Sequence, residues 1–318
     1  MRVLHIGMGE WGISWFHVLQ ERKDITIVGV VDLDESKRVM HNKFYTDVAL
    51  AMDELKPDFI VNATPPSAHQ QINRLACERN ISILCEKPIS ESYSDALELL
   101  DYARKGHKIV IAENYRYIDI NRRVKDVIAS GVLGEITSIN IKFGKRHRMT
   151  NYHSNLKHPL LLDVTMHHMD LLRYFSDLEV KGVYADFFTP EWSWYKGYSN
   201  VVTTMTLTNG IHVQYCGSLD AHLETSWNGS WEFVGANGSL LFEQDRVYLH
   251  KNGESQILHA IDEHAPSDKD LLLDEFLDYL RWGKIPQTHI FDNIKTFQII
   301  REAITSFKIR KEVQIDAN

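Results

Sequence analysis

Val3-Leu4-His5-Ile6-Gly7-Met8-Gly9-Glu10-Trp11-Gly12 decides how this chain is read. The first four residues form a short apolar strand, and the next six fit G-x-G-x-x-G. From Trp11 to Arg22 the pattern turns helical, with Trp11, Ser14, Trp15, Val18 and Leu19 at helical spacing. In a strand–loop–helix of this kind Gly7 permits the tight turn, Gly9 lets backbone approach a pyrophosphate, and Gly12 allows close helix–strand packing. The helix start adds free N–H groups and the positive end of a dipole. A second strand, Ile25 to Val31, ends at Asp32. That acid falls about 20 residues past the last glycine, where a carboxylate accepts hydrogen bonds from an adenosine ribose. A plain glycine turn beside a surface aspartate would lack this full context, so a dinucleotide site is expected, with Glu10 and Trp11 beside the glycines. A carboxylate at Asp32 repels a 2′-phosphate and favours NAD, while nearby Lys37 and Arg38 leave NADP open.

Outward from that loop, strand and helix alternate. Asp58 to Thr64 reads as a strand stopped by Pro65-Pro66, followed by a helix from about Ser67, its N-cap, to Arg79. Ile81-Ser82-Ile83-Leu84-Cys85 reads as a buried strand closing in Glu86-Lys87-Pro88. A helix from about Tyr93 to Lys105 and a strand from Lys108 to Asn114 complete the series. Such alternation implies a parallel, doubly wound sheet. Pro88 has no N–H and a fixed φ, so it ends the strand and holds Lys87 at its carboxyl end, where ligands of open α/β sheets bind. Lys87 thus puts a cation where a substrate hydroxyl or carbonyl can sit; the bland alternative is a surface cation in a loop. Thr64-Pro65-Pro66 is either a strand terminator or a stretch whose backbone touches cofactor.

Beyond about Asn121 strand-like runs join through turns, mostly without helices between them. They are Ile136–Phe143, Val180–Phe188, Val201–Leu207, Ile211–Ser218, Trp231–Val234, Leu240–Glu243 and Val247–His250. Asn209-Gly210, Asn237-Gly238 and Asn252-Gly253 are hairpin signals, so this half is expected to hold an antiparallel sheet. Its uncovered face suits a substrate wall or an oligomer surface. Helices near Leu272–Trp282 and Asp292–Phe307 close the chain. The expected division is a dinucleotide-binding domain over 1–120 and a substrate-binding and oligomerisation domain over 121–318, whose final helix is free to pack back on the first.

Composition fits a soluble enzyme of 318 residues: 25% charged, 44% hydrophobic, net charge −8. The negative balance leaves no electrostatic footprint for nucleic acid. Cys77, Cys85 and Cys216 form no C-x-x-C pair, which points to a reducing compartment. No apolar stretch approaches the ~20 residues of a membrane span. No signal peptide precedes the first strand, so the cytoplasm is the expected location.

A second chemical cluster lies at Leu160-Leu161-Leu162-Asp163-Val164-Thr165-Met166-His167-His168-Met169-Asp170-Leu171-Leu172, which reads as a helix. Asp163 and His167, four apart, share a face. A carboxylate beside a histidine orients the ring and raises its basicity, the arrangement of a general base. The same spacing also fits a helix-capping aspartate beside a partly buried histidine. His158, Asp163, His167 and His168 invite a metal reading, but no H-E-x-x-H or cysteine set accompanies them, and no metal is expected. For substrate, the polar and aromatic loop residues Arg146, Arg148, Tyr152, His153, Trp192 and Trp194 are candidates, with His168. Aromatic faces with donors suit a sugar ring, and Arg146 or Arg148 could pair with a carboxylate or phosphate. The tryptophans fit a subunit interface equally well. Asn114 and Tyr115, just past the fifth strand, are further candidates, Asn114 toward cofactor and Tyr115 toward substrate.

Taken together, the glycine loop, Glu86-Lys87-Pro88, Thr64-Pro65-Pro66-Ser67-Ala68-His69, Asp-x-x-x-His-x-x-Asp from Asp163 to Asp170, and the closing helix resemble the Gfo/Idh/MocA oxidoreductases, the glucose–fructose oxidoreductase and inositol dehydrogenase family. The resemblance covers the whole chain. It implies an N-terminal Rossmann domain, a C-terminal α/β domain with a large open sheet, and oxidation or reduction of a sugar, inositol or related polyol carbon with NAD(P). It implies Lys87, Asp163 and His167 as the catalytic set, and Gly7, Gly9, Gly12, Asp32, Thr64, Pro65, His69, Glu86 and Lys87 around the cofactor. Separately, the open face of the antiparallel sheet suggests a homodimer or homotetramer. Thr165 stands where many members carry glycine. The implied roles are His167 as base, Asp163 as its orienting partner, and Lys87 as the group that bonds the substrate oxygen. Two rival readings stay open: an NAD-dependent glycosidase of the same family, and a non-enzymatic dinucleotide-binding regulator.

Overall fold

Apolar strands alternating with helices build the first of two units, Met1–Asn114 with Ser267–Ile294, in a computed structural model that describes residues 1–148 and 156–316. Its elements are β1 (Arg2–Ile6), α1 (Glu10–Glu21), β2 (Thr26–Val31), β3 (Phe44–Tyr45), α2 (Val48–Leu55), β4 (Phe59–Asn62), α3 (Pro66–Glu78), β5 (Ser82–Cys85), α4 (Tyr93–Arg104) and β6 (Ile109–Ile111), with a later helix, here called α7 (Asp268–Trp282). The strands lie in the order β3-β2-β1-β4-β5-β6 and every pairing is parallel. This is the doubly wound dinucleotide-binding order, whose switch point falls between β1 and β4. Parallel strands covered on both faces read as continuous apolar runs. Val3, Leu4, Ile6, Phe59, Ile60, Val61, Ile83 and Leu84 are accordingly all buried, each stabilising the fold by roughly 1.5–3 kcal/mol.

Two local expectations need correction, and two elements add to those expected. The two-residue β3 and the helix α2 went unread, although Asp47 caps α2 by accepting from the Leu50 N–H. Ser67 is not an N-cap: α3 starts at Pro66, whose fixed φ suits the first helical position, and Pro65 precedes it. The sixth strand stops at Ile111, because Asn114–Tyr117 winds into a 3₁₀ turn.

The second unit, Tyr115–Pro266 with Lys295–Asn318, contains α5 (Asp119–Ala129), β7 (Ile136–Gly144), α6 (Met166–Ser176), β8 (Val180–Phe188), β9 (Asn200–Leu207), β10 (His212–Ser218), β11 (Ser230–Gly235), β12 (Gly238–Glu243), β13 (Arg246–Lys251), β14 (Glu254–Ala260) and β15 (Val313–Gln314). The closing helix α8 (Ile290–Ile309) runs across the boundary of the two units. Helix α5 and strands β14 and β15 add to the elements read from the sequence. The nine strands lie in the order β14-β13-β12-β11-β7-β10-β9-β8-β15, antiparallel except for the parallel pair β7–β10. Asn252 and Gly253 both have positive φ, the conformation of a two-residue hairpin turn whose twist matches its strands. Along β8 burial alternates: Val183, Ala185 and Phe187 face the core, while Tyr184 and Phe188 are exposed. The core face carries Trp231 and Phe233, and Phe175 of α6 packs edge-on against both, at 5.2 and 6.0 Å. That packing seats α6 on the sheet, and α6 carries the histidine cluster.

Candidate functional site

The carboxyl edge of the parallel sheet gathers the first set of candidates. β1 runs into Gly7, whose φ is +93° and where a Cβ would lie 2.6 Å from the Ala63 carbonyl oxygen. A Cβ on Gly12 would lie 2.1 Å from the Gly7 carbonyl oxygen. Neither position admits a side chain without backbone movement. Gly9 differs, since its Cβ would meet nothing within 4 Å. Gly9 also caps α1 without any side-chain bond, so the first N–H groups of α1 stay open toward an anion. Tight packing at Gly7 and Gly12 with open space at Gly9 fits a loop shaped to receive a pyrophosphate.

Asp32 follows β2 on the same edge. Its carboxylate accepts from the Met8 N–H at 2.5 Å and from the Asp34 N–H at 2.8 Å, which fixes it against the glycine loop. Each oxygen keeps a lone pair for a further donor. The Thr64 turn after β4 is held from below by a buried polar chain. Thr64 Oγ1 donates to Asn62 Oδ1 at 2.7 Å, Asn62 Nδ2 to Asn73 Oδ1 at 2.9 Å, and Asn73 Nδ2 lies 3.2 Å from Cys85 Sγ.

His69 ties two of these loops together. Its Nδ1 faces the Pro88 carbonyl and its Nε2 the Thr64 carbonyl, both at 2.8 Å, in a fully buried position. Burial pushes its pKa below the ordinary value, while the two carbonyls pull it back up. Both nitrogens are spent on protein, so His69 braces the loops from beneath.

Glu86 is anchored too: Oε1 accepts from Trp15 Nε1 at 2.6 Å and Oε2 from the Lys87 N–H at 3.2 Å. Lys87 is partly exposed and precedes a cis peptide bond to Pro88. Lys269, which the sequence reading missed, donates to Ser14 Oγ at 2.6 Å and lies 5.0 Å over the ring of exposed Trp11 and 5.4 Å over that of Trp15. Asn114 Nδ2 donates to Asp268 at the start of α7.

In the second unit the expected unbroken helix from Leu160 to Leu172 is corrected. Leu161–Thr165 forms a π turn, closed by the Met166 N–H bonding to the Leu161 carbonyl, before α6 begins. The wider turn rotates Asp163 relative to His167, so four-residue spacing does not by itself place them on one α-helical face. Single π turns are rare and concentrate at functional sites. Thr165, at the glycine place, exchanges a 3.0 Å hydrogen bond with the Tyr215 hydroxyl.

His167 is buried, and the Tyr115 ring stacks on it with centroids 3.9 Å apart and planes 3° from parallel. His168 spends both nitrogens on protein, Nε2 on the Trp227 carbonyl at 3.0 Å and Nδ1 on the Tyr215 hydroxyl at 3.2 Å. Burial pushes its pKa down to about 3, so it stays neutral. Asp170, read only as a pattern position, is fully buried. It accepts from Arg116 Nε and Nη2 at 2.6 and 2.7 Å and from Thr296 Oγ1 at 2.8 Å.

The loop candidates are exposed. Arg146 Nη1 contacts the His222 ring at 2.7 Å, and its guanidinium lies 5.7 Å from the Trp194 ring centroid. The Trp192 ring lies 6.2 Å from that of His222 at a tilt of 42°, and Arg148 is exposed. Tyr152 and His153 lie outside the described residues. Among the described residues no group of three or more His, Cys, Asp or Glu could hold a metal ion, and no helix is long and apolar enough to cross a membrane.

With this geometry in hand, comparison with known proteins gives two matches to family models. Residues 1–114 match the oxidoreductase family with NAD-binding Rossmann fold, and 121–241 match the GFO/IDH/MocA C-terminal domain. Among curated relatives, the uncharacterized protein y4oX of Sinorhizobium fredii is 23% identical over 99% of this chain and 95% of its own length. D-apiose dehydrogenase of Rhizobium rhizogenes is 22% identical over 98% of this chain and 96% of its own. An Agrobacterium radiobacter oxidoreductase, solved with NAD+, L-tartaric acid and magnesium, superposes with a TM-score of 0.85 at 20% identity, covering 99% of this chain and 98% of that one.

Proposed function

The chain belongs to the Gfo/Idh/MocA family of NAD(P)-dependent oxidoreductases, and from that membership we propose that it transfers a hydride between nicotinamide and a hydroxyl-bearing carbon of a sugar, inositol or related polyol. What supports this most directly is Lys87, which follows the end of β5 on the same carboxyl edge that carries the glycine loop and Asp32. The D-apiose dehydrogenase, whose namesake is a sugar, supports the substrate class.

Gly7, Gly9, Gly12 and the first turn of α1 would hold the pyrophosphate, Asp32 the adenosine ribose, and the Thr64-Pro65 backbone, Glu86 and Asn114 the remainder. When bound, the nicotinamide supplies the two-electron acceptor or donor of the reaction. The chain supplies the proton chemistry. His167 takes the hydroxyl proton in the oxidative direction and returns it in the reductive one. Asp163 steadies the imidazolium that results. Lys87 bonds the substrate oxygen and stabilises its alkoxide character. The fixed Asp32 carboxylate makes NAD the preferred cofactor; a lower Kd for NADP in parallel titrations would contradict that. The chain also assembles as a homodimer or homotetramer in this reading, a second copy covering exposed Tyr184, Val202 and Phe188 on the open sheet face; a monomer by sedimentation would contradict it.

The test is an NADH-formation screen across inositols, aldoses and sugar acids, with Lys87→Ala as control. At least one polyol should reduce NAD+. The variant should lose roughly 10²–10⁴-fold in kcat while its Kd for NAD stays close to wild type. Turnover close to wild type in Lys87→Ala would refute the assignment. Release of aglycone from an aryl glycoside without net NADH would favour the glycosidase.

A further inference from the structure

We propose that Tyr115 is a positioning residue for His167: its ring covers one face of the imidazole and fixes the plane in which His167 offers its nitrogens to a substrate hydroxyl. The proposal rests on the reading of His167 as the base. It departs from the expectation that Tyr115 meets substrate directly.

Left to itself, a histidine ring rotates in a broad, two-fold torsional well about χ2. A parallel ring 3.9 Å away and tilted by only 3° removes that freedom, because any rotation drives the imidazole edge into the tyrosine face. The stack is held from outside. Asn121 Nδ2 donates to the Tyr115 carbonyl and to Asn228 Oδ1, each at 2.9 Å, pinning the 3₁₀ turn. The next residue, Arg116, forms a buried bidentate pair with Asp170. Asp170 lies three residues after His167 on α6, so both project from one side of the helix. Two neighbours in the turn, Tyr115 and Arg116, therefore engage two same-side residues of α6, His167 and Asp170. The ion pair sets the register and the ring stack follows from it. Thr296 of α8 donates to Asp170 at 2.8 Å and fastens the arrangement from a third element.

This gives the closing Asp of Asp-x-x-x-His-x-x-Asp a task. Asp170 touches nothing that reacts; it holds Arg116, and through Arg116 the tyrosine that sets the plane of His167.

Two variants test the idea, Tyr115→Leu and Tyr115→Phe, each purified as the full chain. Ring-current shielding of the His167 Hε1 proton, assigned by its loss in His167→Asn, reads the stack without substrate or cofactor. The resonance should lie upfield in wild type and Tyr115→Phe and move downfield in Tyr115→Leu. On an active polyol, Tyr115→Leu should lose roughly 10- to 100-fold in kcat, the scale of a misplaced catalytic group. Tyr115→Phe should stay within threefold, and NAD affinity should hold in both. An unshifted His167 resonance in Tyr115→Leu, or wild-type kcat in that variant, would overturn the proposal. Wild-type turnover in His167→Asn would instead sink the base reading itself, whichever way the resonance moves.

Discussion

Replacing Asp170 by asparagine should cost this protein a large share of its stability, though the two side chains are nearly the same shape. Asp170 is 0% and Arg116 7% exposed. In the native chain one carboxylate oxygen accepts from Arg116 Nε, and the other from Arg116 Nη2 and Thr296 Oγ1. An asparagine keeps one acceptor. Its amide NH₂ then points at a donor, and the buried guanidinium loses its countercharge. Breaking a buried pair from one side costs about 3–5 kcal/mol, because the remaining charge is uncompensated. For a unit of this size each kcal/mol lowers Tm by roughly 2–4 °C, so a fall of about 6–20 °C is expected. Urea unfolding of the cofactor-free protein measures the same quantity, with the midpoint falling and the m-value unchanged. The double replacement Arg116→Met with Asp170→Leu should recover part of the loss, since it removes the stranded Arg116 charge, while Arg173, 3.7 Å from Asp170, keeps its pair with Glu179. A cost below about 1 kcal/mol for Asp170→Asn would refute the view that this pair clamps the turn to α6.

Two glycine replacements should separate packing from binding. Gly12→Ala forces its Cβ to within 2.1 Å of the Gly7 carbonyl, so both apo stability and NAD affinity should fall. Gly9→Ala meets only open space, so apo Tm should hold while Kd for NAD rises about tenfold or more; an unchanged Kd would contradict a pyrophosphate there. Acid should destabilise the protein through buried histidines. Burial lowers His5 to about 4 and His168 to about 3 from an ordinary value near 6.5. Between pH 6.5 and 4 the unfolded chain binds protons at these rings and the folded chain does not, so stability falls as pH falls, by about 1.4 kcal/mol per pH unit for each. His168→Gln should flatten the measured slope of unfolding free energy against pH, and an identical slope would contradict the assignment.

The Rossmann half was legible because its signals are local. A strand, three glycines, a helix and an acid at fixed spacing carry their own geometry, and Pro88 marks the end of β5 without reference to distant residues. Hairpin dipeptides did the same for the second sheet. What escaped depended on partners far away in sequence. Arg116 lies 54 positions from Asp170, and Lys269 lies 255 from Ser14. No periodicity announces such pairs. The π turn at Leu161–Thr165 was invisible because its residues are ordinary helix formers, and its register is set by tertiary packing. His168 looked like a ligand-facing histidine in the sequence, yet its partners Trp227 and Tyr215 arrive on strands and loops some fifty residues away. α5 was hidden by its polarity, since only Ile120, Asn121, Val124 and Val127 turn inward.

Direct transfer of isotope from substrate carbon to cofactor tests the central claim most closely. The polyol that gives NADH in the screen is prepared with deuterium on the carbon bearing its reacting hydroxyl and incubated with the enzyme and unlabelled NAD+. The account predicts NADH carrying one deuterium at nicotinamide C4, on a single face, with none washed out to solvent. Unlabelled NADH, or turnover of the sugar that leaves no net NADH, would contradict it.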